Sequence, residues 1–218
     1  MDRRDHWEHV YHTKRPDQVS WFQAEARLSQ ALIARVAPDR LTRIIDIGAG
    51  ASTLVDGLVT SGYRNVAVLD ISAAALRIAK DRLAAAAASV TWIASDVLSA
   101  NFVPGQLDVW HDRAVFHFLT DAGDRARYIA QVRSAVRAGG FVLVATFADD
   151  GPTRCSGLDV ARYAPSELHR EFGDAFALIE SHRELHTTPT GAQQAFTYCL
   201  CRVRAESDRA MRVPTVSE

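Results

Sequence analysis

Five short, mostly apolar stretches rich in β-branched residues recur along the first two thirds of the chain, separated by longer segments with helical spacing. The last stretch reads FVLVATF and shows no regular alternation of polar and apolar positions. Continuous apolar runs of this length are typical of strands covered on both faces by helices. The pattern therefore predicts βαβ units and a parallel sheet. The predicted strands are 43–47, 65–71, 90–94, 107–110 and 141–147.

The intervening segments carry signals for the beginnings and ends of helices. Ser72 is a favourable N-cap for a helix that continues through the alanines at 84–88, because alanine has the highest helix propensity. Asp121 or Asp124 is expected to begin another helix, which Gly139-Gly140 is expected to end. Three further helices are predicted at 24–36, 53–61 and 166–172.

The pattern changes after the fifth strand. Two β-like stretches at 175–186 and 195–204, joined by a Thr-Pro-Thr-Gly turn, predict a hairpin that adds one antiparallel strand. The predicted fold is α/β: a Rossmann-like, doubly wound, mostly parallel seven-stranded sheet with a C-terminal antiparallel hairpin. We expect a single domain over 1–204, with an N-terminal helical segment at 1–40 and a disordered tail at 205–218.

Composition narrows the classes of function. Of the 218 residues, 48% are hydrophobic, which is enough for a packed core, and 25 basic residues nearly balance 26 acidic ones. Without a basic excess we expect no nucleic-acid partner. Three cysteines without a CxxC spacing predict neither a disulfide framework nor a metal site. A charged N-terminus and the lack of a long apolar run predict a cytoplasmic protein without membrane contact, either monomeric or homodimeric.

The most informative segment follows the first strand. Gly48 and Gly50 allow a sharp turn and a close approach of the backbone to a ligand. A nicotinamide dinucleotide site favours G-x-G-x-x-G, but its third position is Thr53 here. Asp46, two residues before the first glycine, is unfavourable beside a pyrophosphate and suits a cationic ligand instead.

Asp46-x-Gly48-x-Gly50 resembles the first motif of class I S-adenosylmethionine-dependent methyltransferases, which often place a third glycine where Ser52 stands. That resemblance implies further cofactor-binding residues at the ends of the next strands. Asp70, 22 residues after Gly48, would accept hydrogen bonds from the ribose hydroxyls, and Asp96 would meet the adenine amine. Their neighbours in the motifs, and one residue after the fourth strand, complete the implied set: Ile71, Val97 and His111.

The N-terminal segment is unusually aromatic for a leader. Tyr11 and Trp21 either pack the first helix onto the sheet or form a lid over S-adenosylmethionine, as N-terminal segments do in related methyltransferases. The element Val19-Ser20-Trp21-Phe22 resembles an entry motif shared by bacterial small-molecule enzymes and eukaryotic protein-lysine enzymes. The sequence leaves open whether this segment packs permanently against the sheet or forms a lid.

Catalytic candidates are expected beyond the fourth and fifth strands, because ligands of open parallel sheets bind at the carboxyl ends. His111, Asp112 and Arg113 lie there, and His111 is the candidate general base because histidine titrates near neutrality. Cys155 follows the fifth strand and is either a substrate contact or an inert packing residue.

Taken with the resemblance, these residues predict in-line methyl transfer from S-adenosylmethionine to an oxygen, sulfur or nitrogen atom of a small molecule, with S-adenosylhomocysteine as product. The compact chain favours a small-molecule substrate. Two alternatives are a protein-lysine methyltransferase, suggested by the N-terminal motif, and a non-catalytic S-adenosylmethionine-binding protein.

Overall fold

A computed structural model describes residues 2–205 and contains one seven-stranded sheet. Its strands are β1 Arg43–Ile47, β2 Asn65–Asp70, β3 Val90–Ala94, β4 Leu107–Arg113, β5 Val136–Phe147, β8 Phe176–Thr187 and β9 Gln193–Val203, and a small separate hairpin consists of β6 Arg154–Cys155 and β7 Leu158–Asp159. The strand order is β3-β2-β1-β4-β5-β9-β8; neighbouring strands from β3 to β5 run parallel, and β9 runs antiparallel to both β5 and β8. The predicted doubly wound sheet with a C-terminal hairpin is confirmed.

In the described part of the chain, six α-helices surround the sheet: α1 Arg3–Thr13, α2 Arg27–Val36, α3 Leu54–Thr60, α4 Ala73–Leu83, α5 Ala122–Ala135 and α6 Pro165–Phe172. Buried side chains of α2, α3 and α4 form one apolar core on one face of the sheet. Those of α5 and α6 form a second core on the other face. Burial on both faces explains why the central strands read as continuous apolar runs. Within residues 2–205, no helix is long and apolar enough to span a membrane.

The structure confirms the predicted N-terminal caps of helices α4 and α5. The Ser72 hydroxyl accepts a hydrogen bond from the backbone N–H of Ala75 and so caps α4. Asp121, rather than Asp124, caps α5, and its carboxylate accepts from the backbone N–H of Asp124. These caps satisfy backbone donors that the first turn of a helix leaves unpaired.

Two helix predictions are wrong at their C-terminal ends. Helix α4 ends at Leu83, and Ala84 has a φ of 49°, after which the alanines continue as a 3-10 helix over Ala84–Ser89. The high helix propensity of alanine does not extend α4 here, because tertiary structure outweighs intrinsic propensity and the chain must turn back to enter β3. Helix α5 ends at Ala135, and Gly139-Gly140 lie within β5 instead of terminating the helix. The predicted disordered tail lies, from residue 206 on, outside the described residues.

A buried polar cluster connects β4 to α5. The Asp112 carboxylate, fully buried, accepts hydrogen bonds from the backbone N–H groups of Val115 and Phe116 at 2.9 and 3.1 Å. It also accepts from the Tyr128 hydroxyl at 2.5 Å, and that hydroxyl accepts from the Trp110 indole N–H at 2.9 Å. The three donors compensate for the desolvation of the carboxylate. Asp112 therefore fixes the turn after β4 and the position of α5.

Tyr128→Phe is expected to lower the free energy of unfolding by about 2–4 kcal/mol, because it leaves the Trp110 N–H and one Asp112 oxygen without a partner in the core. Urea denaturation at neutral pH measures the change. Tyr163→Phe is the matched control, since Tyr163 is also buried in this core and lacks a hydrogen bond from its hydroxyl within the described part of the chain. It should cost less than about 1 kcal/mol. Equal losses in both variants would contradict the role assigned to the cluster.

Candidate functional site

The strand order reverses between β1 and β4, which opens a crevice at the carboxyl ends of these strands. The loop after β1 lines this crevice, with Gly48 at φ 57° and Gly50 at φ 54°. A Cβ atom on Gly48 would overlap the Val115 side chain, and one on Gly50 would overlap the Tyr11 hydroxyl. Both the left-handed backbone and the lack of space therefore require glycine at these positions.

Asp70 ends β2 beside this loop. Its Oδ2 accepts a hydrogen bond from the backbone N–H of Gly50 at 2.7 Å, and its Oδ1 accepts from that of Ser72 at 2.8 Å. The carboxylate thereby connects the loop after β1 to the first turn of α4. Burial raises the pKa of Asp70 to about 6, although the two backbone hydrogen bonds oppose this shift.

Asp70 lines a partly open cavity, the first cavity, which holds about 770 Å³ of empty space. Ile71, Asp96 and Val97 line it along the ends of β2 and β3. The Asp96 Oδ1 accepts from the backbone N–H of Leu98 at 2.8 Å, which stabilises the turn after β3. The structure thus brings together the residues predicted at the ends of three different strands.

A second cavity, with about 540 Å³ of empty space, lies on the other side of the glycine loop. Asp46 and Ser52 line it, and Gly48, Tyr11 and Trp21 line both cavities. The Asp46 Oδ2 is buried and has no hydrogen-bond partner among the described residues. A buried carboxylate oxygen without a partner is costly, so it marks a place where a ligand donor fits.

His111 does not have the geometry of the predicted general base. Its side chain is 3% exposed, its Nδ1 lies 2.6 Å from Asp46 Oδ1, and its Nε2 lies 2.9 Å from Ser29 Oγ. Both ring nitrogens are therefore engaged, while a base needs one nitrogen free for the substrate proton. His111 instead connects β1, β4 and α2 and orients the Asp46 carboxylate. This corrects the catalytic role predicted from its position.

Asp112 is also withdrawn as a catalytic candidate. Successive side chains of a strand point to opposite faces, so Asp112 faces the α5 side while His111 and Arg113 face the α2 side. Asp112 is fully buried and lines neither cavity. The sequence placed three polar residues together, and the pleat of β4 separates them.

Arg113 is the member of the predicted catalytic set that lines both cavities. Its Nε donates to the Tyr198 hydroxyl at 2.9 Å, and one terminal nitrogen donates to the backbone carbonyl of Trp21 at 3.1 Å. The other lies 3.4 Å from the Glu184 carboxylate, and the guanidinium stacks 4.1 Å from the Phe196 ring centroid. Arg113 therefore joins β4, the terminal hairpin and the segment that carries Trp21.

Helix α1 covers the first cavity with Trp7 and Tyr11 and is fixed at two points. The Glu8 carboxylate accepts from the backbone N–H groups of Ala73 and Ala74 at 2.6 and 3.3 Å, at the N-terminus of α4. Arg3 forms an ion pair with Asp124 at the start of α5. The helix thus spans the crevice between α4 and α5, and acidic side chains are favoured at helix N-termini.

Sequence reasoning missed several residues of the site. Glu8, Glu184 and Tyr198 belong to no motif. Glu8 reaches α4 because α1 covers the crevice, and Glu184 and Tyr198 reach Arg113 because the terminal hairpin joins the sheet beside β5. Phe118 follows β4 and contacts Trp7, with ring centroids 5.1 Å apart. In the sequence, only the high aromatic content of the N-terminal segment indicated that its rings would pack over the sheet. Cys155 lines the first cavity, and burial raises the pKa of its thiol to about 11.

Comparisons with known proteins agree with this geometry. The family model described as a methyltransferase domain matches residues 44–140. No curated protein matches the chain. A solved structure concerning the conversion of a disulfide bond into a thioacetal group during echinomycin biosynthesis is similar to this chain. The TM-score is 0.73 and the sequence identity 14%, over 96% of each chain.

Two further solved structures share the fold. The 1,6-didemethyltoxoflavin-N1-methyltransferase of Burkholderia thailandensis, with 1,6-didemethyltoxoflavin and S-adenosylhomocysteine bound, is similar with a TM-score of 0.72 and 19% identity, over 93% of this chain and 87% of that one. The N-methyltransferase NodS of Bradyrhizobium japonicum, in complex with S-adenosylhomocysteine, gives a TM-score of 0.69 and 14% identity, over 92% and 100%. The segment that resembles a methyltransferase domain holds the glycine loop, Asp70 and Asp96.

Proposed function

We propose that this protein transfers the methyl group of S-adenosylmethionine to a small-molecule nucleophile bound under helix α1. The observation that carries the proposal is the pair of adjoining cavities at the carboxyl ends of β1, β2 and β4, which share the glycine loop as a common wall. Fold alone does not transfer function, so the argument rests on the residues that line these cavities.

The residues present fit the cofactor. Asp70 would accept hydrogen bonds from the ribose hydroxyls, and Ile71 and Val97 would flank the adenine, whose amine would meet Asp96. The Asp46 Oδ2 would accept a hydrogen bond from the ammonium group of the methionine portion, since it accepts no hydrogen bond from the described residues. Gly48 and Gly50 let the loop pass close to this position, because the Val115 side chain and the Tyr11 hydroxyl occupy the space that a Cβ would need.

The bound cofactor supplies an electrophilic methyl group on a positively charged sulfur. The protein contributes alignment and exclusion of water, which account for much of the rate of such displacement reactions. Trp7, Tyr11 and Trp21 cover the site, and the ion pair of Arg3 with Asp124 and the Glu8 contacts to α4 hold this cover in place. His111 keeps Asp46 oriented toward the methionine end of the site.

A small acceptor is favoured over a protein lysine for two reasons. Helix α1 covers the cavity, and Arg113 at the carboxyl end of β4 places a positive charge there, which would repel a lysine ammonium group. Calorimetry with S-adenosylhomocysteine, followed by labelled methyl transfer to a panel of thiols, amines and phenols, tests the proposal. Tight binding with transfer to a panel member would support it. The lack of S-adenosylhomocysteine binding would overturn it, and transfer only to lysine peptides would replace the small-molecule assignment.

Asp70→Asn is expected to weaken S-adenosylhomocysteine binding roughly tenfold to a hundredfold at pH 7.5, because the ribose hydroxyls lose a charged acceptor. Isothermal titration calorimetry measures the affinity. Asp56→Asn is the matched control, since Asp56 on α3 forms an ion pair with Arg82 away from Asp70. Unchanged affinity in the Asp70 variant would remove this residue from the binding site.

The raised pKa of Asp70 predicts opposite effects of pH on binding and on stability. Below pH 6 the carboxyl becomes protonated in the folded protein, so affinity for S-adenosylhomocysteine should fall roughly tenfold per pH unit. The ligand-free protein should instead gain stability from this group as the pH falls, since the folded-state pKa lies above the unfolded value. Calorimetry and urea denaturation from pH 5 to 7.5 would show both trends. In Asp70→Asn both should flatten, and wild-type affinity independent of pH would contradict the assignment.

Helix α1 is expected to act as a lid that the bound cofactor stabilises. S-adenosylhomocysteine should then slow tryptic cleavage after Lys14, and Glu8→Gln should reduce that protection because it weakens the contact with the N-terminus of α4. Asp5→Asn, at an exposed position of the same helix, is the control. Mass spectrometry of the fragments gives the cleavage rates. Identical rates with and without ligand would favour a permanently packed helix.

A further inference from the structure

The first cavity is electrostatically divided. Its two carboxylates, Asp70 and Asp96, end β2 and β3, whereas Arg113, Phe118 and Cys155 belong to β4 and the segments beyond β4 and β5. Because β1 separates β2 from β4 in the sheet, the acids and these residues lie at opposite ends. We define the acceptor end by Trp7, Trp21, Arg113, Phe118 and Cys155. The adenosine portion of the cofactor occupies the acidic end under the proposed function.

The walls of the acceptor end are aromatic. Trp7 meets Trp21 edge to face with centroids 5.7 Å apart and an interplanar angle of 82°, and it meets Phe118 at 5.1 Å and 75°. Three rings arranged in this way form a rigid apolar surface that suits the face or edge of a flat, unsaturated ligand. A long flexible chain would gain less from it.

The charge at this end is positive. Arg113 uses three of its five N–H groups within the described structure, on Tyr198, Trp21 and Glu184. The Glu184 contact is long, at 3.4 Å, and the same carboxylate also accepts from Tyr198 at 2.9 Å and from Gln23 at 3.1 Å. Glu184 is therefore shared among three donors and neutralises Arg113 only in part. The remaining N–H groups can bind an anion.

Among the described residues that line the acceptor end, no side chain is suited to remove a proton from the acceptor. Both nitrogens of His111 are engaged, and Asp112 is sealed in the opposite core. Burial raises the pKa values of the Cys155 thiol and of the nearby Tyr11 hydroxyl, so neither is ionised near neutral pH. An acceptor that needs a protein base would not react at a useful rate here.

We propose that the acceptor is a flat aromatic anion whose nucleophilic atom is already ionised when it binds, such as the thiolate of an aromatic thiol. This inference rests on the proposed function. In the step, a bond forms between the thiolate sulfur and the methyl carbon, and the bond between that carbon and the sulfonium sulfur breaks. The electron pair stays on the departing sulfur, no proton moves, and one anion and one cation become two neutral thioethers. An apolar, water-excluding site favours a reaction that removes charge.

The test measures binding to the protein saturated with S-adenosylhomocysteine, using three probes that share one ring: 4-nitrothiophenol, 4-nitrothioanisole and 4-nitrobenzylamine. Quenching of tryptophan fluorescence or calorimetry gives the affinities at pH 7.5, where these probes are anionic, neutral and largely cationic. We expect the thiolate to bind at least about tenfold more tightly than the ammonium. Arg113→Gln should abolish this preference, whereas Arg27→Gln, an exposed arginine that is paired with Glu25 and lines neither cavity, should keep it.

A kinetic arm uses phenols with graded electron-withdrawing substituents, which ionise between about pH 7 and 10, and S-adenosylmethionine between pH 7 and 9. The rate for each should follow the ionisation of that phenol, and no common pKa of the protein should appear. Equal binding of the three probes by the wild-type protein, tighter binding of the ammonium, or one shared protein pKa in all profiles would overturn the inference. These outcomes leave the proposed function standing if S-adenosylhomocysteine binds, and they need no variant that folds poorly.

Discussion

The hydrogen bonds between the Asp70 carboxylate and the backbone N–H groups of Gly50 and Ser72 determine the geometry of the site. They connect the loop after β1 to the beginning of α4, at the point where the strand order reverses. The glycine loop keeps its left-handed turns, and α4 presents its N-terminus to the crevice. Both cavities depend on this arrangement, because the loop forms the wall between them.

The N-terminus of α4 also receives the segment that covers the site. Glu8 binds the backbone donors of Ala73 and Ala74 one turn away from Asp70, so two carboxylates share one helix end. Their proximity contributes to the raised pKa of Asp70. Docking of α1 and the ionisation of Asp70 are therefore electrostatically coupled, since each negative charge raises the cost of the other. A cofactor that donates hydrogen bonds to Asp70 lowers this cost.

At the carboxyl end of β4, three successive polar residues have different surroundings. Asp112 and Tyr128 stabilise one face of the sheet, and His111 orients Asp46 on the other. Arg113 alone of this tripeptide lines the first cavity, and Glu184 and Tyr198 from the terminal hairpin contact its guanidinium. An ionised acceptor is consistent with this division, because the polar groups around the methyl-transfer region are committed to structure.

The sequence by itself determined the doubly wound sheet and the positions of Gly48, Gly50, Asp70 and Asp96, because apolar periodicity and the need for glycine are local properties. It also indicated the aromatic N-terminus. Only the tertiary structure decided that His111 has no free nitrogen, since its contact with Ser29 on α2 joins residues 82 positions apart along the chain. The pleat of β4 is a local property, but the packing of α5 against the sheet decided that Asp112 is buried with Tyr128. The same holds for Arg113, whose partners Glu184 and Tyr198 lie 71 and 85 residues away along the chain. Side-chain roles follow from which distant elements the fold brings together, and short-range spacing carries no information about that.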